Sequence, residues 1–170
     1  TGLVRSKNAS TQLLKNVALF SLASIAYFIV GFNLMYPGDG WIINGWMGGF
    51  SLTGLEPAGV GADGVDLTYA SVGSDFFFQL MFCAATASIV SGTVAERVKL
   101  WPFLIFTIVL TGIFYPISAS WQWGGGWLSE AGFSDFAGST VVHATGAAAA
   151  LAGAMVIGAR HGRYKDDGSV

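Results

Sequence analysis

A chain of 170 residues that is 53% hydrophobic and only 11% charged, with mean hydropathy +0.59, is too poor in charge for a water-soluble domain, where about a quarter of residues are charged. The formal net charge of −2 and a sequence pI near 5.5 leave no basic stripe to neutralise phosphates, which excludes a nucleic-acid partner. Charge is also missing in blocks: four stretches run about the thickness of a bilayer without Asp, Glu, Lys or Arg, which predicts an all-α, polytopic membrane bundle of four transmembrane helices.

The chain opens Thr1-Gly2-Leu3-Val4-Arg5-Ser6-Lys7, with no Met and no hydrophobic run that a signal peptidase could process, so it is expected to be an internal piece of a longer chain. Its end, directly after a hydrophobic segment, reads the same way. The first span is expected over residues 16–37, stopped by Pro37-Gly38. Residues 38–75 then carry Gly with Asp39, Glu56, Asp63, Asp66 and Asp75, an extramembrane loop with room for short interfacial helices around Trp41 and Trp46. The second span, 76–95, holds the one cysteine, Cys83, which reads as a small buried hydrophobe. A polar turn at 96–99 reverses the chain into the third span, 100–118. Pro102 falls in its first turn, where proline is tolerated, and Pro116 is expected to end or kink it. Residues 119–135 form a second outer loop with Trp121, Trp123, Trp127 and Gly124-Gly125-Gly126. The fourth span, 136–159, is built largely from small residues, including Gly138, Ala144, Gly146 and Gly153, which predicts a place at the centre of a bundle.

With four crossings, Arg5, Lys7, Lys15, Arg97, Lys99, Arg160, Arg163 and Lys165, all eight basic residues, fall on one side. The positive-inside rule makes that side cytoplasmic, so a multi-pass cell-membrane protein is expected with 1–15, 96–99 and 160–170 inside and 38–75 and 119–135 outside. The sequon at Asn8-Ala9-Ser10 then lies inside and is expected to stay unglycosylated.

Four residues could carry chemistry. His143 stands eight residues past Asp135, about 12 Å along a helix, in apolar surroundings where an ionisable group lines a pathway or bonds a neighbouring helix as a neutral imidazole. Phe82, seven residues past Asp75 and about 10 Å along its helix, reaches similar depth; by its residue type alone it is a packing or lipid-facing side chain. Trp123 is an interfacial anchor or, with glycines leaving room beside it, a face for a cation. Asp135 reads as the N-cap of the fourth helix, shaping the mouth above His143. There is no Ser-His-Asp set or paired carboxylates at membrane depth and no phosphate loop, so neither an enzyme nor a cofactor or metal is expected.

Several stretches resemble the ammonium transporter family. They are Gly2-Leu3-Val4-Arg5-Ser6-Lys7-Asn8, Phe78-Gln79 with Phe82, Ser91-Gly92-Thr93-Val94-Ala95-Glu96-Arg97, Trp123-Gly124-Gly125-Gly126, and Asp135-Phe136-Ala137-Gly138-Ser139-Thr140-Val141-Val142-His143. The resemblance covers nearly the whole chain; Ser139 departs from it, where many members have glycine. It implies a partial transporter domain over 1–170: the end of the first helix, then helices two to five of an eleven-helix fold made of two inverted repeats, assembled as a homotrimer. By the same resemblance Trp123 would recruit substrate, Phe82 would be one of two stacked gating rings, His143 the first of two pore histidines, and Asp135 the support of the outer site. Implied partners are ammonium or ammonia, the lipid bilayer and a cytoplasmic nitrogen-regulatory signal protein, in the service of nitrogen uptake. Two other functions fit the same residues: the ammonium-sensing membrane domain of a signalling protein, and a Rhesus-type ammonia or gas channel, in which a tryptophan like Trp123 is usually absent.

Overall fold

The computed structural model describes residues 2, 4–52, 71–164, 168 and 169. The first helix, α1, runs Ser6–Met35 and therefore starts ten residues before the charge-free segment at residue 16. Lack of charge marks the part of a helix that suits hydrocarbon, whereas lysine and glutamine propagate a helix well. Lys15 also finds partners: its Nζ donates to the Ser91 carbonyl at 2.9 Å and lies 4.7 Å from the Phe103 ring centroid. Pro37 ends α1, since the residue before a proline is pushed out of the helical region, and Tyr36 sits at φ −118°, ψ 71°.

Beyond α1 the chain forms a short antiparallel hairpin, β1 (Trp41–Ile43) with β2 (Met47–Gly48), rather than the interfacial helices expected around Trp41 and Trp46. Gly45 takes φ +70° in its turn and supplies the reversal. Glu56, Asp63 and Asp66 lie outside the described residues.

Helix α2, Val72–Thr93, opens with the Ser71 hydroxyl accepting from the Ser74 N–H at 3.3 Å. It starts ahead of Asp75, whose carboxylate suits the first turn of a helix and so does not bound the element. Helix α3 spans Leu100–Ser120. Pro116 does not end it: the five residues Leu110–Phe114 widen into a π turn, with the Tyr115 N–H bonding the Leu110 carbonyl, and the helix continues. The wider turn absorbs the missing donor and the ring of the proline. A matching π turn, Tyr27–Gly31, lies in α1, and the two face each other: a Cβ on Gly31 would stand 3.0 Å from both the Pro116 ring and the Thr111 carbonyl. On α3, Trp101, Ile105, Ile108 and Phe114 are exposed within this chain.

A single turn, α4 (Trp127–Glu130), precedes α5, His143–Ile157. Among the described residues three helices, α1 to α3, are long and apolar enough to cross a membrane; α5, at 15 residues, is shorter than the 24 expected over 136–159, because the chain from Phe136 to Val142 is a run of turns. Gly146 sets α5 against α2, where a Cβ would come within 2.9 Å of the Ile89 side chain and 3.0 Å of the Thr86 carbonyl. Only this face of α5 is buried; Ala144, Ala147, Leu151 and Met155 are exposed, so within this chain α5 lies at the edge of the bundle and not at its centre.

Which helix ends meet fixes the directions of the helices. At one end Glu96, at φ +65° in the α2–α3 turn, accepts from the Arg5 N–H at 3.0 Å, Arg5 Nε at 3.2 Å and Asn8 Nδ2 at 2.6 Å, and its other oxygen lies 3.5 Å from Arg160. Arg97 adds bonds to the carbonyls of Thr93 and Gly158. At the other end Gln79 donates to the Tyr36 hydroxyl at 2.9 Å, and Trp121 Nε1 to the Trp46 carbonyl at 2.8 Å. Successive long helices therefore run in alternating directions.

The Glu96 clasp has a pH signature. Asn8 and Arg5 hydrogen bonds hold its carboxyl down at about 2. A carboxyl lowered in the fold stabilises above the unfolded value of about 4.3, and that contribution is lost as pH falls toward the folded value. Thermal unfolding followed from pH 5 down to about 2 is expected to show a stability loss that Glu96→Gln removes. Parallel curves for the two proteins would contradict the clasp.

Candidate functional site

At the end of the bundle away from Glu96, Phe82, Trp123, Asp135 and His143 lie in one connected group. Phe82 projects from α2, half-buried, edge-on to Phe78 at 5.0 Å between ring centroids and tilted against Trp123 at 5.8 Å. Trp123 follows the last turn of α3, and its backbone N–H bonds the Ala119 carbonyl at 2.9 Å. The indole N–H donates to the backbone carbonyl of Asp135 at 2.7 Å, which fixes the orientation of the ring. Trp121 and Trp127 turn the other way and join Trp46, with Trp46 and Trp127 stacked at 4.6 Å.

The triple glycine makes this divergence possible. A Cβ on Gly124 would lie 2.2 Å from the Met35 carbonyl and one on Gly126 would lie 2.6 Å from the Gly45 carbonyl, while Gly125 takes φ +77°. Two of the three thus allow close backbone approach and the middle one a left-handed turn.

Asp135, 6% exposed, uses both carboxylate oxygens on backbone N–H groups: Gly138 at 2.8 Å and Ser139 at 3.2 Å on one, Thr140 at 2.9 Å and Val141 at 2.8 Å on the other. Burial pushes the carboxyl up, but these four bonds outweigh it and hold Asp135 below the usual carboxylate range. The capping chemistry expected of Asp135 is present, but on the turn that leads into α5 and not on the first turn of the helix. Gly138 is the pivot of that turn, at φ +77°, with Trp123 Cη2 3.1 Å from where its Cβ would be.

His143 is the first residue of α5. It does not lie 12 Å down a helix from Asp135, because the residues between them do not climb one. Its backbone N–H bonds the Gly138 carbonyl at 3.1 Å, and its ring Nδ1 lies 3.0 Å from the same oxygen. A carbonyl only accepts, so the bond puts the proton on Nδ1 and, in the neutral ring, leaves Nε2 as an acceptor. The ring is exposed in this chain, not enclosed as its apolar sequence surroundings imply. Gly138, which joins three of the four residues, escaped the sequence reading as one more small helix residue. The signal for it was the Asp-x-x-Gly spacing of Asp135 and Gly138, a turn pattern.

Long apolar helices in alternating directions, with aromatic, carboxylate and imidazole groups gathered at one end, define a helical membrane bundle. The family model described as Ammonium Transporter Family matches residues 1–170, and the chain belongs to that family. It is 40% identical to "Ammonium transporter Amt2" of Archaeoglobus fulgidus, with 99% of this chain and 36% of that protein covered. Against "Ammonium transporter Amt2" of Haloferax mediterranei the identity is 37%, with 99% and 36% covered, and against "Ammonium transporter" of Bacillus subtilis it is 36%, with 94% and 38% covered. The chain thus spans little more than a third of the length of these relatives.

Proposed function

We propose that the full-length protein carries ammonium across the cell membrane and that this chain supplies the outer recruitment site, one gating ring and one pore histidine. The observation that carries the reading is the unbroken series of contacts from Phe82 through Trp123, Asp135 and Gly138 to His143. A cation settles against the face of Trp123, which the Asp135 carbonyl holds in place. Asp135 has no oxygen left to bind substrate and acts by shaping the turn. Past Phe82, the Nε2 lone pair of His143 accepts a hydrogen bond from ammonia. The remainder of the protein covers the exposed side of His143 and completes a narrow passage there. The basic end, with Arg5, Lys7, Arg97, Lys99, Arg160 and Arg163, faces the cytoplasm, which places Trp123 outside. Three copies form the working assembly.

Uptake of labelled methylammonium or ammonium by cells expressing the full-length protein tests this. Trp123→Leu is expected to lower uptake at limiting substrate about tenfold, the size of a partly desolvated cation–π contact, with recovery at saturation. His143→Ala is expected to stop transport while the protein still unfolds at its normal temperature. Unchanged uptake in Trp123→Leu, or normal transport with a lowered melting temperature in His143→Ala, would assign these side chains to structure alone.

A further inference from the structure

At the end of the bundle opposite Trp123, a cavity of about 340 Å³ lies between the start of α1 and the α2–α3 turn. That volume is in the range of small-ligand sites. Its wall carries the cations Arg5, Lys7 and Lys15 and one carboxylate, Glu96, so three positive charges against one negative leave +2. The carboxylate is already committed, to Arg5 and Asn8 through one oxygen and to Arg160 through the other.

Lys15 is the informative member. It is 5% exposed, bonds the Ser91 carbonyl, and has no carboxylate within ion-pair distance among the described residues. An ammonium that is desolvated without a counter-charge is costly, and an anion in the adjoining cavity would offset that cost. Lys7 is exposed at the rim, where it can reach the same anion, and Thr11 adds a hydroxyl to the wall.

We propose that this cavity binds a phosphate group, carried by an anionic phospholipid headgroup or by a free phosphate compound, with Lys15, Lys7 and Arg5 as its charge partners. Phosphate suits the lining because several donors can share its oxygens and its charge answers the surplus in the wall. The site is separate from the aromatic end and does not depend on what crosses the membrane there.

The test uses the full-length protein in detergent and two probes: short-chain phosphatidylglycerol, compared with phosphatidylcholine of the same chain length, and inorganic phosphate. Binding is read by native mass spectrometry and by the shift in melting temperature. One probe is expected to bind the unaltered protein, more weakly as salt rises, with Lys15→Met and Lys7→Gln each weakening it about fivefold. Preference for phosphatidylglycerol with no response to phosphate identifies a lipid headgroup, and a response to phosphate alone identifies a free anion. Lys7→Gln, at the exposed rim, keeps the test valid if Lys15→Met fails to fold. The proposal is overturned if neither probe binds, or if whichever probe binds does so equally well to the unaltered protein and the folded variants; methylammonium uptake, read separately, is unaffected by that outcome.

Discussion

Asp135→Ala is expected to lower stability by about 3–5 kcal/mol and to abolish uptake in the full-length protein. Four backbone N–H groups lose their acceptor at once, two of them on buried residues, Gly138 and Val141. The turn they stabilise holds Gly138, whose carbonyl fixes His143 and whose lack of a side chain admits the Trp123 ring. Loss of one carboxylate therefore disturbs three other members of the group. Asp135→Asn is expected to fall close to Asp135→Ala, since an amide offers one accepting oxygen where two are used and points an NH₂ group at N–H donors. Melting temperatures of the purified variants, beside their uptake, decide the matter. An Asn variant that matches the original in both would show that the second carboxylate oxygen is dispensable.

Gly124→Ala should be as damaging for a steric reason. The added carbon would lie 2.2 Å from the Met35 carbonyl and 2.8 Å from Ser120 Cα, both backbone atoms that cannot rotate away. The end of α1 and the end of α3 would have to separate, at an expected cost of about 3 kcal/mol or more. Gly125→Ala is the control: its Cβ meets nothing within 4 Å, so the cost is limited to the φ of +77°, about 1 kcal/mol. Size-exclusion profiles after heating would rank the two, and equal tolerance of both substitutions would show that the α1–α3 corner is not tightly packed.

The long helices were legible in the sequence because hydrocarbon tolerates so little charge that their apolar runs stand out. The start of α5 was not. It depends on Asp135 binding the N–H groups of Gly138 to Val141, and small apolar residues such as Ala137 and Val142 are compatible with either a helix or a run of turns. Lys15 misled in the opposite sense: its charge argued for water, while the Ser91 carbonyl and the Phe103 ring give it a place inside the bundle. Phe82, Trp123, Asp135 and His143 were singled out in the sequence by type and by resemblance, and the structure brings them into one connected group. Their linkage was not legible, because the sequence does not say which way the rings of Trp121, Trp123 and Trp127 turn; only the glycine corner, folded, sends one ring toward Phe82 and the others toward Trp46.

The π turn at Tyr27–Gly31 is in effect one residue too many in an otherwise regular helix, with the Phe32 N–H reaching back five positions to Tyr27. Removing one of its exposed residues, Phe28 or Ile29, would let α1 close up into ordinary α geometry and leave the parts above and below facing as they do now. A deletion elsewhere in α1 would swing everything beyond it by about 100°. Length variation in this helix is therefore tolerable at that one place, which marks where a shorter version of the same chain could keep its fold.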